Sequence, residues 1–279
     1  MGLNYGITNV NGRVTYKNAN SILKMAAANG IKRLDTASAY GESEATLGAI
    51  GLEGLKVVTK LREVPVDCLN PESWVRQEIF SSLQRLGVLK VDGVLAHHPN
   101  QFLGPMGRTI YASLRRLQEE EIIGLIGISI YGPENLDALI ERFRFELIQA
   151  PYNLLDRRIE ISGWLDKCRD YGILVHGRSV FLQGVLLMNS NERRQKFPNW
   201  LNLWDEYDDW IRTSKLTPVE ACLGFALSEM RLSGVVVGVD DAEQLRQLIS
   251  ISSAVPVGVF PNLSINDLNL IEPTRWKKQ

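Results

Sequence analysis

Three cysteines in 279 residues, Cys68, Cys168 and Cys222, are too few and too widely spaced for a disulfide framework, and none forms a CxxC pair. They read as reduced thiols that fill the core. Long hydrophobic runs are missing as well. The longest strongly apolar stretch, 122–130, is far short of the ~20 residues that cross a bilayer. The opening "MGLNYGITNVNGR" contains no apolar segment of signal-peptide type, so a cytoplasmic location is expected. Charge of one sign is not in excess either: 31 basic and 32 acidic side chains leave −1. Nucleic acid and anionic membrane are therefore not expected partners. No repeat, low-complexity tract or change of composition divides the chain.

What the chain does have is alternation. Short runs rich in Val, Ile and Leu lie at 31–38, 55–61, 91–99, 125–132, 145–152, 173–181 and 233–239. Each is bounded by turn or helix-start signals, as buried parallel strands are. Amphipathic patterns fill the gaps. One begins at Glu42; others span Asn18–Asn29, Glu72–Leu86 opened by Pro71, Gly107–Glu121, Pro133–Phe143 and Arg158–Tyr171. Val219–Arg231 is opened by Pro218, and Ala242–Ile251 is capped by Asp240 or Asp241. Residues 188–215 form a helix-bearing, aromatic insertion. Strand then helix, repeated over a chain near the ~250 residues typical of the class, predicts one α/β domain over 1–279, a (β/α)8 TIM-type barrel of parallel strands. Only seven strand runs are present. Because the helix at 18–29 precedes the Asp35 run, the missing strand is the first. Either residues 1–16 improvise a closing piece or that strand is absent.

In a parallel barrel, chemistry sits at the C-terminal ends of the strands. The run from Ile31 to Ala37 carries Asp35 in its middle and leads to Tyr40. The next ends with Lys60, and the third with His97 and His98. Each alone has an ordinary reading as a solvated or satisfied structural residue; together they mark a site. A metal-dependent hydrolase built on His97 and His98 is disfavoured, since neighbours on a strand point to opposite faces.

"DTASAYGESEATLG" resembles a motif of the aldo-keto reductase family, in which Asp-Thr-Ala is followed by Tyr-Gly, Ser-Glu and Leu-Gly. "VVTKL" is similar to that family's lysine strand, "VDGVLAHHP" to its histidine strand, and "GLIGISIYGPENL" to the segment that usually reads Gly-Val-Ser-Asn. The resemblance runs from about residue 5 to about residue 252. It implies an oxidoreductase that uses NADPH or NADH to reduce an aldehyde or ketone, or runs the reverse. Tyr40 would be the general acid, Asp35 would hold Lys60, and His97 would orient the carbonyl. Lys60 would lower the phenol from ~10 toward ~7, which takes about 4 kcal/mol. Ser129 and Gln149 match positions that hold the nicotinamide carboxamide, although Ile130 stands where an Asn is usual. Arg178 occupies the position of an aromatic ring that stacks on nicotinamide; the alternative is a salt bridge to a loop carboxylate. Gly238 and Gln244 stand where NADPH-selecting members carry cations, beside Asp240 and Asp241, so selection for the 2′-phosphate should be weak, with Arg246 as a possible substitute contact.

"MGLNYGI" resembles the segment after the family's first strand, which agrees with the strand count. "PYNLLDRR" and "RSVFLQG" are similar to bacterial members associated with cell-surface sugar pathways. The expected partner is thus a small carbonyl or sugar substrate, and the expected state a monomer or weak homo-oligomer. Trp200, Trp204 and Trp210 either line a sugar site or pack the insertion. The alternative function is a catalytically silent nucleotide-binding barrel that serves as a regulatory or partner subunit.

Overall fold

The computed structural model describes residues 12–254 and 260–276. Its strands are β1 (Arg33–Asp35), β2 (Lys56–Leu61), β3 (Val91–Ala96), β4 (Ile123–Ser129), β5 (Leu147–Pro151), β6 (Leu174–Arg178) and β7 (Gly234–Val235). The helices are α1 (Tyr16–Ala28), α2 (Ser43–Ile50), α3 (Pro71–Leu86), α4 (Gly107–Glu119), α5 (Leu136–Arg142) and α6 (Arg158–Ile161), followed by α7 (Trp164–Asp170), α8 (Ser190–Lys196), α9 (Leu201–Ser214), α10 (Pro218–Ser228), α11 (Ala242–Ser253) and α12 (Leu268–Ile271). All the strands are parallel, in the sheet order β1 to β7.

Side-chain alternation places the core and the site. Val58, Leu95 and Leu147 form a buried cluster with Leu125 and Leu174, one residue from each of β2 to β6. Residues two further along each strand share that face. They are Lys60, His97, Gly127, Gln149 and His176, and the next step reaches Ser129 and Arg178. One face of the sheet is therefore apolar in a lower layer and polar toward the C-terminal ends. The opposite face carries Val57, Val94, Ile126, Ile128, Ile148 and Val175, which pack in the main core with the helices.

Local signals start the helices. The Thr15 side chain caps α1, Asn70 caps α3 ahead of Pro71, and Asp241 caps α11. Thr217 and Glu220 form a reciprocal capping box at α10, with Pro218 at the first helical position. Three boundaries differ from the sequence reading. The pattern over Arg158–Tyr171 is two helices, α6 and α7, because Gly163 adopts φ +78° and ends the helical run. The Pro133–Phe143 pattern becomes helical only at Leu136. Asp35 closes its strand rather than sitting in the middle, although Thr36 still donates a ladder hydrogen bond to the Val58 carbonyl (2.9 Å).

The insertion packs inward. Trp204 and Tyr207 are buried, Trp204 donates to the Phe197 carbonyl (2.8 Å), and Trp200 donates to Asp267 (3.1 Å). Trp210 lies against Phe260. These three tryptophans pack the insertion.

Among the described residues nothing pairs β1 with β7. Helices cross that interval instead: Ile22 and Ala26 of α1 pack with Leu245 of α11, flanked by Val14, Ile31 and Val239. The expectation that residues 1–16 supply or lack a closing strand falls largely on residues 1–11, outside the described residues. No helix among the described residues is long and apolar enough to cross a membrane.

Candidate active site

A buried ion pair lies at the centre of the polar layer. Lys60 Nζ donates to Asp35 Oδ2 (2.5 Å) and to the Thr36 carbonyl (3.0 Å), with 1% of its side chain exposed. Asp35 Oδ1 accepts from Gln149 Nε2 (2.7 Å), so one carboxylate joins three strands. Burial lowers the Lys60 ammonium from its usual range, and Asp35 opposes that shift.

Tyr40 reaches the same place through a compact turn. Its amide donates to the Ala37 carbonyl (3.0 Å), Gly41 takes φ +56°, and the Ser43 amide donates to the Tyr40 carbonyl (3.1 Å). The residues after Tyr40 anchor the turn. Thr36 Oγ1 donates to Ser43 Oγ (3.0 Å), and buried Glu44 accepts from Thr59 Oγ1 (2.6 Å) and from Arg85 Nε (2.8 Å). Gly48 lets α2 close on α3; a Cβ there would lie 2.2 Å from the Arg85 carbonyl oxygen. The Ser-Glu and Leu-Gly parts of the motif thus clamp the tyrosine turn to the sheet.

Around Tyr40, the Lys60 ammonium lies 5.2 Å from the ring centroid, and the His97 ring approaches edge-on at 5.7 Å. Burial, reinforced by Asp35, pushes the Tyr40 hydroxyl up to about 12. This corrects the expectation of a phenol brought toward neutrality. The Lys60 charge is committed to Asp35 and the Thr36 carbonyl, and desolvation of the phenolate prevails. Burial, aided by Lys60, lowers His97 to about 4, so its imidazole is neutral at pH 7. The His97 and His98 rings lie 5.4 Å apart and tilted by 35°. They do not point to opposite faces, because the chain leaves the ladder between them: the His97 amide still donates to the Leu61 carbonyl (3.0 Å), and His98 lies beyond it.

The remaining predicted residues fall into two groups. Ser129 and Gln149 are register partners on β4 and β5, and both are buried. Arg178, at the end of β6, donates to the Ile130 carbonyl (2.8 Å) and to Ser179 Oγ (3.0 Å), and its guanidinium lies 5.1 Å from the centroid of Tyr131. Its Nε is buried without a hydrogen-bond partner among the described residues. The salt-bridge alternative fails there too: no described carboxylate pairs with Arg178.

Gly238 and Gln244 lie farther out, in the wall of a cavity of about 300 Å³ between the ends of β6 and β7 and helix α11. Gln244 is engaged in holding the turn, accepting from the Asp240 amide (2.9 Å) while its own amide donates to Asp241 (2.8 Å). Asp240 is the one charged residue of that wall among the described residues. Arg246 is exposed and paired with Glu243.

A second cavity, of about 270 Å³, opens beside His97 and His98 and is walled by Glu63, Asn100, Tyr131, Glu134 and Asn135. The sequence reading missed those five; their one signal is that they follow the C-terminal ends of β2, β3 and β4. Buried Arg158 braces this wall through the Tyr131 carbonyl (2.5 Å), Glu134 (3.3 Å) and Asp156 (2.9 Å).

The model of the aldo/keto reductase family matches residues 2–257. The NADH-specific methylglyoxal reductase of Escherichia coli (strain K12) is 28% identical over 198 residues, which cover 65% of this chain and 60% of that protein. The L-glyceraldehyde 3-phosphate reductase of the same strain is 24% identical over 266 residues, covering 81% and 76%. Among solved structures, an aldo-keto reductase from Bacillus halodurans in its apo form superimposes with a TM-score of 0.73 at 20% identity, over 92% of this chain and 88% of that one.

Proposed function

Since the chain belongs to the aldo/keto reductase family, we propose that it reduces a small aldehyde or ketone with a nicotinamide nucleotide, residues 1–279 acting as one barrel domain with 188–215 inserted. The observation that carries this reading is the Asp35–Lys60 pair, with Lys60 buried, set against Tyr40, whose ring lies edge-on to His97, and His97 in turn borders a cavity. Its two relatives named above are called reductases of methylglyoxal and of L-glyceraldehyde 3-phosphate. Small carbonyl compounds of that size suit the His97 cavity, and a sugar-derived aldehyde is the larger alternative.

The residues present suit a nicotinamide nucleotide. The amide oxygen of Gln149 and the hydroxyl of Ser129 are available to a carboxamide, Arg178 carries an orphaned buried N–H, and the cavity lined by Gly238 and Gln244 extends outward from Ser179. When bound, the reduced nucleotide supplies hydride. The protein's own part is the proton. Tyr40 stays protonated throughout the physiological range, so it is a donor in waiting. As its proton moves to the carbonyl oxygen, the growing phenolate lies beside the Lys60 ammonium, whose field Asp35 partly offsets, and within the field of Arg178. Neutral His97 can donate a hydrogen bond to the same oxygen and fix its direction.

The test follows loss of dihydronicotinamide absorbance against methylglyoxal, glyceraldehyde 3-phosphate and simple aldose aldehydes. Tyr40→Phe should bind the nucleotide as the parent does and lose at least about 100-fold in turnover, the usual scale of general acid catalysis. Equal kcat in variant and parent would remove Tyr40 from the role. Nucleotide binding with no turnover on any carbonyl would favour the silent-barrel reading, which the engagement of Gln149 by Asp35 also supports.

A further inference from the structure

Arg178 stands between the two cavities. On one side it holds the Ile130 carbonyl and lies over Tyr131, whose residues wall the His97 cavity. On the other it donates to Ser179, which walls the cavity beside α11. Its charge is not neutralised by any described carboxylate. The buried neighbouring charges are paired: Lys60 with Asp35, Arg158 with Asp156, and Glu272 with Arg275, while Glu134 is exposed to water. Glu63 is exposed, where water screens it. The field of Arg178 nevertheless reaches Tyr40, Lys60 and His97.

We infer that Arg178 makes the site prefer the reduced nicotinamide nucleotide over the oxidised one. This deepens, and rests on, the nicotinamide reading above. In the reaction, the carbonyl carbon takes a hydrogen with its electron pair from the dihydronicotinamide ring. The displaced π pair goes to oxygen, which takes the Tyr40 proton, and water later reprotonates the phenolate. The ring is left with one positive charge. To reach a carbonyl held by Tyr40 and His97, that ring must enter the region where the guanidinium acts. A fixed, unpaired cation leaves the neutral ring unpenalised and repels the cationic one. The bound ring thereby becomes harder to oxidise, by about 30 mV for each tenfold of preference. In return, oxidised nucleotide leaves readily and competes poorly for the empty protein. The enzyme is thus loaded for reduction even where the oxidised nucleotide is in excess.

Dissociation constants for both redox forms, measured by calorimetry on the full chain, test the inference. The parent should bind reduced nucleotide at least about 10-fold more tightly than oxidised. Arg178→Met should narrow the gap to about threefold or less, and Arg178→Lys should keep most of it. Arg178→Gln, which retains a donor for the Ile130 carbonyl, should behave like the methionine variant. A mere strut between β4 and β6 would weaken both forms alike and leave their ratio unchanged, which would overturn the inference. So would equal constants in the parent, a result that needs no variant to fold. If a folded parent bound neither form, the nicotinamide reading itself would fall, and this inference with it.

Discussion

An ammonium with 1% of its surface exposed is costly unless paired, and Lys60 is paired at one oxygen of Asp35 while Gln149 holds the other. Lys60→Met should therefore act twice. Turnover should fall across pH 6–9, because the phenolate loses its cation. Stability should fall by about 1–3 kcal/mol, because half-buried Asp35 loses its cation and keeps only the Gln149 hydrogen bond. Parental rates with a parental melt would make Lys60 an ordinary strand-end lysine. His97 gives a prediction of the opposite kind. Its folded value, about 4, lies below the usual 6.5. The unfolded chain thus binds more protons between those values. The contribution is complete above pH 6.5 and is lost as pH falls toward 4. Denaturant unfolding at pH 7 and at pH 4.5 should show the parent losing more stability than His97→Gln. A difference between them that did not change with pH would contradict this.

At the scale of elements, caps and turn residues were legible because their signals are local. Pro71, Pro218 and Asp241 each act within one helical turn. The break at Gly163 was hidden, since a glycine inside an apolar repeat reads equally as a tolerated helix residue. The raised Tyr40 hydroxyl was hidden for another reason: it depends on what surrounds the ring in space, and on a Lys60 charge already committed to Asp35. The contact between α1 and α11 was not legible either, because it joins the two ends of the alternating pattern. Leu245→Ala should cost about 2–5 kcal/mol, the usual range for a buried leucine. Its effect should exceed that of truncating an exposed residue such as Leu89. Equal melts for the two variants would mean that the α1–α11 packing contributes little.

For the molecule as a whole, the count of seven parallel strands followed from alternation, and the structure bears it out; the Asp35–Lys60 contact followed from the family resemblance, and the two groups lie 2.5 Å apart. The wall of the His97 cavity did not follow, because loop residues such as Glu134 and Asn135 carry no period. The outer cavity yields a whole-ligand prediction. Among the described residues its wall contains no Lys or Arg and one carboxylate, Asp240. A 2′-phosphate would find no counter-charge there, so NADPH should not bind 100-fold more tightly than NADH, a margin of about 2.7 kcal/mol. Calorimetry with both nucleotides decides it; such a margin would place a cation in the site that the described wall lacks.

Because each strand of β1 to β7 pairs with the one made just before it, the sheet can lengthen as synthesis proceeds, every addition closing only a short loop. The seam between α1 and α11 cannot form until nearly the whole described chain has been made. It closes a far longer loop than any strand-to-strand pairing, and until it forms, the interval between the edges at β1 and β7 lies uncovered to other chains. The interval before that late docking is when this protein is most exposed to aggregation, and a nascent chain stalled before α11 would prolong it.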